Sequence, residues 1–531
     1  MSKVLMIGLD GATFALLKPL MNDGVMPFLK KFVSEGVHAD LMSTQNPLTP
    51  PAWISMVTGR SPEIHGIYDF LRPEFSENQV FLKVNDSRDI CCETVWSMVS
   101  RQNKRVTCMN FYGMSPPVPI DGYLISGFIP WKHLRSSTYP TSLFETLKNK
   151  PNFDYKQLGM DIAEEKKCIQ GLDQGEYEPW IDLQSDRDRA WTEVLCYLMK
   201  TDPTDLTAVV FDGTDKLQHL FWRYLAPELV DPNPTPWDAH IREMCIAYYR
   251  QLDSSIETLV NLSGPDTNVI MTSDHGFGAT TEVVYINEWL AQHGYLKWVN
   301  DAETDDGWKL TADRIKDHTV MIDWEQTLAY ALTPSSNAIY VNMDDGSGKG
   351  VKPEEYAEFC DRLKKQLLDY RNPADNGQIF IEPELNQAKI AGKPHFPYSP
   401  DITVKLRDYG FVSIVRSGEV VKPRHKPDGT HRPNGIFIGR GPDIKSGEKL
   451  EPLSILDITP VLLHLLDLPI PKDMEGRVPT EIIRSDSLIS KPVKYGENTR
   501  TTQDASQQRE EVSDEEKEAL MAQLKLLGYM D

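Results

Sequence analysis

The sequence predicts an α/β fold, a doubly wound and mostly parallel sheet with helices on both faces. Continuous apolar runs at residues 4–9, 207–211 and 268–272 are typical of strands that are buried on both faces of a parallel sheet. Stretches with helical spacing separate these runs, which is the alternation of βα units. Each run is also followed by an acidic residue, Asp10, Asp215 or Asp274. Ligands of open α/β sheets bind at the carboxyl ends of the strands, so the same observations predict where a site would lie.

The N-terminal elements follow the alternating pattern as far as residue 109. They are a strand at 4–9, helical spacing from 13 to 35 interrupted near Gly24, a strand at 37–42, a helix that ends near Gly59, a strand at 80–84, a helix at 94–101 and a strand at 105–109. Residues 111–182 are rich in proline, glycine and charge, and they predict an irregular surface excursion.

The alternation resumes after this excursion. We expect helices at 186–199, 216–224, 237–262 and 454–466, and strands at 207–211, 268–272, 401–406 and 435–439. The predicted catalytic core comprises residues 1–284 and 401–497. Residues 285–400 form an inserted cap subdomain with a strand at 338–341 and a helix at 353–370. Residues 498–531 are a linker and a terminal helix at 513–528, which is a candidate for docking on a neighbouring subunit in a homo-oligomer.

Charge and cysteine usage exclude several classes of function. The net charge of −22 over 531 residues argues against binding to a nucleic acid polymer or an anionic membrane. No apolar run is long enough to predict a membrane span. The seven cysteines are scattered and odd in number, which is typical of reduced thiols in a cytoplasmic protein. A phosphorylated substrate would therefore need local metal ions to supply positive charge.

The segment that begins at Thr49 is a candidate anion site. Its hydroxyl precedes Pro50 and an apolar run, which predicts Thr49 as the N-cap and Pro50 as the first residue of a helix. The N-terminus of a helix attracts anions through its free N–H groups and its dipole. Alone, this pattern is also that of an ordinary capped surface helix.

Histidines accompany the acidic residues in spacings that suit a metal centre. Asp215 and His219 are four residues apart and share one face of a helix, and His275 directly follows Asp274. His431, in a Gly-Thr-His segment expected to be a turn, offers a further imidazole. Each feature alone is common on solvated helices and in turns, but together they are an unlikely coincidence. Mixed imidazole and carboxylate ligands suit Zn²⁺, with Mn²⁺ as a plausible substitute.

These blocks together resemble the alkaline phosphatase superfamily, and within it the type I phosphodiesterase/nucleotide pyrophosphatase group. The matching blocks, in order, are Gly-Leu-Asp10-Gly, Leu-Thr49-Pro-Pro-Ala-Trp with Thr-Gly59 and His65-Gly66, Asp215-x-x-x-His219, Thr-Ser-Asp274-His275-Gly276 and Gly-Thr-His431. The strings around His219 and His431 are most similar to prokaryotic phosphohydrolase/phosphomutase members of the group.

The resemblance implies a two-metal hydrolase. One ion would be bound by Asp215, His219 and His431. The other would be bound by Asp10, Asp274 and His275, with the Thr49 oxygen as a further ligand. Thr49 would then be the nucleophile that attacks phosphorus and forms a phosphothreonine.

One position departs from the family pattern. Phosphodiesterases of the group usually have an Asn after the His-Gly-Ile block to hold a phosphoryl oxygen, where this chain has Asp69-Phe70. Arg60, Lys216 and Asn110 are the candidate replacements. The leading expectation is hydrolysis of phosphodiester or pyrophosphate bonds in a small phosphorylated substrate such as a nucleotide. The alternatives are a phosphomonoesterase or phosphomutase on the same site, and a non-catalytic metal-binding protein. A sulfatase would need Cys or Ser in place of Thr49.

Overall fold

The computed structural model describes residues 3–76, 79–161, 174–299, 321–333, 335–344 and 346–500. They group into two compact units. The first unit takes its residues from 1–67, 86–278 and 431–509, and the second from 68–85 and 279–430. Residues 401–430, expected in the core, thus group with the second unit, as does 68–85. The predicted terminal helix at 513–528 and most of the predicted linker lie outside the described residues.

The first unit is built on a ten-stranded sheet. Its strands are β1 (Lys3–Leu9), β2 (Val37–Met42), β3 (Val106–Phe111), β4 (Gly122–Ser126), β5 (Thr138–Tyr139), β6 (Leu206–Phe211), β7 (Thr267–Thr272), β8 (Asn434–Arg440), β9 (Glu448–Lys449) and β10 (Leu453–Ser454). Their order is β9-β2-β8-β7-β1-β6-β3-β4-β5, with β10 also paired to β2. Only β8 and β5 run antiparallel to their neighbours. The predicted α/β fold with a mostly parallel sheet is therefore confirmed.

The helices of this unit connect or flank the strands. They are α1 (Phe14–Asn22), α2 (Pro27–Glu35), α3 (Thr49–Thr58), α4 (Pro62–His65), α5 (Val95–Ser100), α6 (Thr141–Lys148), α7 (Tyr177–Thr201), α8 (Gly213–Leu225), α9 (Pro236–Ser263), α10 (Ile458–Leu465) and α11 (Ser485–Ser490). Every residue of β3, β6 and β7 is buried, which requires packed layers on both faces of the sheet. None of the described helices combines the length and the apolar character needed to cross a membrane.

Part of the predicted irregular excursion is regular. Strands β4 and β5 and helix α6 lie within 111–182 and extend the main sheet at one edge. The prediction of an irregular segment was wrong there. These elements are short and lie among prolines and glycines, so neither the helical spacing nor the strand alternation of apolar residues is long enough to detect.

The second unit has a core of its own. It contains a four-stranded sheet of Ala329–Tyr330, Ala338–Val341, Ile402–Thr403 and Glu384–Leu385, a three-stranded sheet of Val412–Ser413, Gly276–Tyr285 and Val421–Arg432, the hairpin Leu71–Ser76 and Gln79–Val84, and the helices Ile286–Gln292, Tyr356–Asp369 and Gln387–Ile390. The strand expected at 401–406 is thus shorter and pairs antiparallel with Ala338–Val341, outside the main sheet.

Candidate metal centre

The parallel register of the central strands brings three carboxylates to one edge of the sheet. Leu9 of β1 pairs with Phe211 of β6, and Gly8 pairs with Thr272 of β7. The C-terminal ends of the three strands therefore lie side by side, and the segment that follows each strand carries one carboxylate. These carboxylates are Asp10 directly after β1, Asp215 in the first turn of α8 and Asp274 two residues after β7. All three side chains are buried.

The first group of candidate ligands lies around Asp215. Nε2 of His431 is 3.2 Å from Oδ1 of Asp215, and Nε2 of His219 is 3.4 Å from the same oxygen. The two imidazole nitrogens are 3.0 Å apart. Asp215 and His219 lie one helical turn apart on α8, as their spacing predicts. His431 lies near the end of strand Val421–Arg432 and not in the expected turn, because Gly-Thr-His continues the ladder of that strand.

The second group lies around His275. Its Nε2 is 3.2 Å from Oδ2 of Asp274 and 3.6 Å from Oδ1 of Asp10. The rings of His275 and His431 stack with their centroids 3.5 Å apart, so the two groups are contiguous. Nε2 of His275 is also 3.9 Å from Oδ1 of Asp215. Among the described residues, Asp215, His275 and His431 have the geometry to hold one ion, and so do Asp10, Asp274 and His275.

Backbone carbonyls set the tautomers of two of these histidines. Nδ1 of His431 is 2.7 Å from the carbonyl oxygen of Pro47, and Nδ1 of His275 is 3.1 Å from that of Gly276. A carbonyl oxygen only accepts, so each Nδ1 carries the proton and donates it. Each Nε2 then presents its lone pair to the site, which is the form that binds a metal ion.

Three buried carboxylate oxygens have no hydrogen-bond partner among the described residues. They are Oδ1 of Asp10, Oδ1 of Asp215 and Oδ2 of Asp274, each of which faces an imidazole nitrogen. A buried carboxylate without a donor costs free energy unless a cation neutralises it. Carboxylate oxygens and imidazole nitrogens that converge in this way fit a divalent metal ion.

The pKa shifts agree with a cation site. Burial, followed by repulsion from neighbouring carboxylates, raises the pKa of Asp10 well above its usual value. Burial also raises the pKa of Asp274. Burial lowers the pKa of His431 to about 4 and that of His275 well below its usual value. Burial acts to raise the pKa of Asp215, but His219 and His431 outweigh it and hold this pKa below its usual value.

Thr49 is the first residue of α3, and the prediction that it is the N-cap was wrong. Leu48 is the cap residue, and no side chain caps the helix. The reason is that Pro51 has no N–H for a threonine cap to bind, while the N–H of Ala52 already donates to the carbonyl of Leu48 over 3.0 Å. Pro50 takes the second helical position. The Thr49 hydroxyl is therefore not used in capping.

The Thr49 hydroxyl lies at the edge of the second ligand group. Its Oγ1 is 3.3 Å from Nε2 of His275. All ten residues of α3 are buried, so the hydroxyl is carried by a helix that is packed on every side. The structure thus brings Thr49 together with all six charged or imidazole residues that the sequence singles out.

Trp53 supports this site and was missed by the sequence reasoning. It follows Thr49 by one helical turn, and its Nε1 donates to Oδ2 of Asp10 over 3.1 Å. The backbone N–H of Gly11 similarly donates to Oδ1 of Asp274 over 3.1 Å. In each carboxylate one oxygen is held by a donor and the other is left to face the site. The i, i+4 spacing of Thr49 and Trp53 was the available signal.

The three candidate phosphoryl-oxygen donors already have protein partners. Arg60 forms an ion pair with Asp473 at 2.6 Å. Nζ of Lys216 lies 2.7 Å from Asp212. The Asn110 amide donates to the carbonyl of Val210 over 2.9 Å and to Asp212 over 3.3 Å. Asp69, at the position of the expected Asn, is buried in the second unit and accepts from Thr333 and Ser335.

A comparison with protein-family models decides the family. The model of type I phosphodiesterase/nucleotide pyrophosphatase matches residues 4–434, most of the chain. The chain belongs to this family. The type I phosphodiesterase assignment confirms the resemblance drawn from the motifs and makes the protein a hydrolase of the phosphodiesterase/nucleotide pyrophosphatase class. No protein of curated function matches this phosphodiesterase family member in sequence.

Solved structures of ectonucleotide pyrophosphatases share the fold of this phosphodiesterase family member. Murine ectonucleotide pyrophosphatase/phosphodiesterase 5 matches with a TM-score of 0.51 and 15% identity, covering 91% of this chain and 100% of that chain. An inactive threonine-to-alanine variant of the murine protein, in complex with AMP, matches with a TM-score of 0.51 and 14% identity over the same shares. The human protein matches with a TM-score of 0.50 and 14% identity, again over 91% and 100%. At these identities the likeness supports the fold alone.

Proposed function

We propose that the protein hydrolyses phosphodiester or pyrophosphate bonds in small nucleotides, with Thr49 as the nucleophile and a phosphothreonine intermediate. The observation that carries this proposal is the convergence of three unpartnered carboxylate oxygens, three imidazole nitrogens and one helix-borne hydroxyl. Family membership supplies the reaction class.

The proposed centre binds two divalent ions. Asp215, His219 and His431 would hold one ion, and Asp10, Asp274 and His275 the other, with the Thr49 oxygen as a further ligand. When bound, such a pair of ions lowers the pKa of a coordinated hydroxyl and neutralises charge on the phosphoryl oxygens. Zn²⁺ suits the mixture of imidazole and carboxylate best, and Mn²⁺ is the plausible substitute.

The chain itself supplies the position of the nucleophile. The buried helix α3 holds Oγ1 of Thr49 at the ligand groups, so that the hydroxyl can approach phosphorus opposite the leaving oxygen. The hydroxyl proton of Thr49 passes to solvent and the bond from Oγ1 to phosphorus forms, while the leaving oxygen departs with the electron pair of its bond to phosphorus. Water then cleaves the phosphothreonine, releases the phosphoryl product and regenerates Thr49. The backbone contacts of His275 and His431 place the proton of each neutral ring on Nδ1 and leave Nε2 as the nitrogen that faces the site.

Two observations support a small nucleotide as the substrate, and one supports a cytoplasmic location. AMP is the ligand in the complex of the inactive murine relative. The net charge of −22 disfavours a nucleic acid polymer as substrate. The six cysteines that the structure describes are free thiols, which is the usual state in a reducing compartment.

Removal and return of metal tests this proposal. Complete chelation is expected to abolish turnover of bis-p-nitrophenyl phosphate, and Zn²⁺ or Mn²⁺ is expected to restore it. Returning Zn²⁺ at increasing ratios, with metal content measured on the same samples, gives the number of ions needed. Full turnover by protein shown to be free of metal would contradict the proposal.

A further inference from the structure

His65 occupies a position that its sequence context does not reveal. It ends the short helix α4, yet its side chain is 0% exposed. The backbone N–H of Ile67 donates to Nδ1 over 3.1 Å, so Nδ1 carries no proton. The proton of the neutral ring is therefore on Nε2, which lies 2.9 Å from Oγ of Ser55 on α3. The nearby carbonyl of Pro51 acts to raise the pKa of the ring, against the larger effect of burial.

These contacts fall on the first two turns of the helix that carries Thr49. Pro51 is two residues beyond Thr49, and Ser55 is one turn beyond Pro51. Because Pro50 and Pro51 have no N–H, two backbone donors that other helices use for capping or solvation are absent from this end of α3. A donor from outside the helix is thus a means to fix the first turn.

His65 is itself held by the backbone on both sides. Its N–H donates to the carbonyl of Ser61 over 3.0 Å, and its carbonyl accepts from the N–H of Cys91 over 3.0 Å. Gly66 follows with φ of 85°, the left-handed conformation that ends α4 and turns the chain so that Ile67 meets Nδ1. The imidazole is therefore a rigid link between this backbone and α3.

We propose that His65 is a positioning residue for Thr49, acting through its Nε2–H on Ser55 of the helix that carries Thr49. The inference rests on the proposed role of Thr49 as nucleophile. His65 touches none of the candidate metal ligands by any described contact, so it acts on the orientation of Oγ1 and not on metal binding. Burial lowers the pKa of His65 to about 3, so the ring stays neutral, and its Nε2–H remains in place, throughout a usual assay range.

Two substitutions of His65 distinguish loss of the Nε2–H donor from loss of the imidazole ring. Glutamine at position 65 can place its amide nitrogen where Nε2 stands, whereas the shorter asparagine reaches only the place of Nδ1. His65→Asn is expected to lower kcat for bis-p-nitrophenyl phosphate by about 10- to 100-fold, the size of effect that misplacing a reacting group by about 1 Å produces. KM, the zinc content and the shape of the pH profile are expected to stay those of the wild type. His65→Gln is expected to recover most of kcat.

Ser55→Ala tests the other side of the contact. It is expected to lower kcat by a similar factor, since it removes the hydrogen-bond acceptor of Nε2–H. The double variant with His65→Asn is expected to be no slower than His65→Asn alone, because both changes remove one link. His464→Asn, a change at another buried histidine, which lies on α10, is the control and is expected to keep kcat.

The outcomes distinguish this inference from the proposed function. Wild-type kcat in folded His65→Asn, equal losses in the Asn and Gln variants, or loss of zinc along with kcat would each overturn the positioning role. If His65→Asn does not fold, the Gln and Ser55→Ala variants decide: low kcat in the former or wild-type kcat in the latter overturns it. Turnover by Thr49→Ala, measured in parallel, would instead contradict Thr49 as the nucleophile.

Discussion

Trp53 donates its indole N–H to Oδ2 of Asp10 over 3.1 Å and so joins the helix that carries Thr49 to the first candidate metal ligand. The other oxygen of Asp10 has no hydrogen-bond donor within the part of the chain that the structure describes, and it faces Nε2 of His275. One side chain therefore supports the nucleophile helix and orients a ligand. The fit is tight, because a Cβ on Gly8 would lie 2.5 Å from the Trp53 ring.

Trp53→Phe is expected to weaken metal binding while the protein stays folded. The variant keeps the aromatic packing but leaves Oδ2 of Asp10 without its donor, and loss of such a support for a ligand typically costs about 10- to 100-fold in metal affinity. Zinc titration calorimetry measures the change.

Trp96→Phe is the matched control for this experiment. Trp96 is also buried and also packs edge-on against Phe111, but its Nε1 has no hydrogen-bond partner among the described residues. It is expected to keep the zinc affinity of the wild type. Equal affinities in the two variants would remove the support role of Trp53.

His219→Ala is expected to lower the zinc content from two ions to about one per chain. In the proposed centre His219 serves only the ion at Asp215 and His431, and its Nε2 lies 3.0 Å from that of His431. Metal analysis after dialysis measures the content. His240→Ala, a change at an exposed histidine paired with Glu178, is expected to keep both ions. Two tightly held ions in His219→Ala would move His219 out of the ligand set.

Asp69 is expected to make stability depend on pH in an acidic window. Burial raises the pKa of this carboxyl from 3.8 to about 6, although Thr333 and Ser335 donate to it. The folded state therefore binds the proton more tightly than the unfolded state. The resulting stability is fully present below pH 3.8 and is lost as the pH rises to about 6.

Asp69→Asn is the variant that isolates this contribution. Between pH 4 and pH 7 the free energy of unfolding of the wild type is expected to fall by about 2.4 kcal/mol relative to the variant, which is most of the equivalent of the pKa difference. Urea unfolding at both pH values measures it. Ser335→Ala, which removes one donor to the carboxylate, is expected to extend the loss to higher pH. A difference that does not change with pH would show that Asp69 keeps its ordinary pKa.

Most of the site could be predicted from the sequence because its residues follow the ends of strands that the sequence predicts. Continuous apolar runs predict the buried strands, and the parallel register of these strands then places Asp10, Asp215 and Asp274 at one edge of the sheet. His219 and His275 follow by local spacing from two of these. His431 was predicted from its motif, but its strand was not, since Gly-Thr-His reads as a turn.

The contacts of Trp53 and His65 that support the site could not be predicted from the sequence in the same way. The link of Trp53 to Asp10 and that of His65 to Ser55 depend on which face of α3 meets β1 and α4, and that choice is made by tertiary packing. The prediction that Thr49 is the N-cap was wrong because a threonine cap binds backbone N–H groups of the first turn, and the two prolines have none. The strand at 338–341 was predicted, but the two-residue strands of the second unit are too short to show an alternation of apolar and polar residues.

The central claim is that Oγ1 of Thr49 is the nucleophile of the candidate metal centre. Thr49→Ala removes this atom, and Thr58→Ala is the control, since Thr58 lies buried on the same helix and its hydroxyl donates only to the carbonyl of Ile54. Both variants are expected to keep the wild-type zinc stoichiometry, although Thr49→Ala removes one oxygen ligand.

The most direct measurement combines turnover with acid-quench mass spectrometry on bis-p-nitrophenyl phosphate. We expect a phosphorylated peptide that contains Thr49 in the wild type and in Thr58→Ala. We expect no such peptide in Thr49→Ala, together with a fall in kcat of about four orders of magnitude or more. Wild-type turnover in zinc-loaded Thr49→Ala, or a phosphoryl group trapped on another residue, would contradict the central claim.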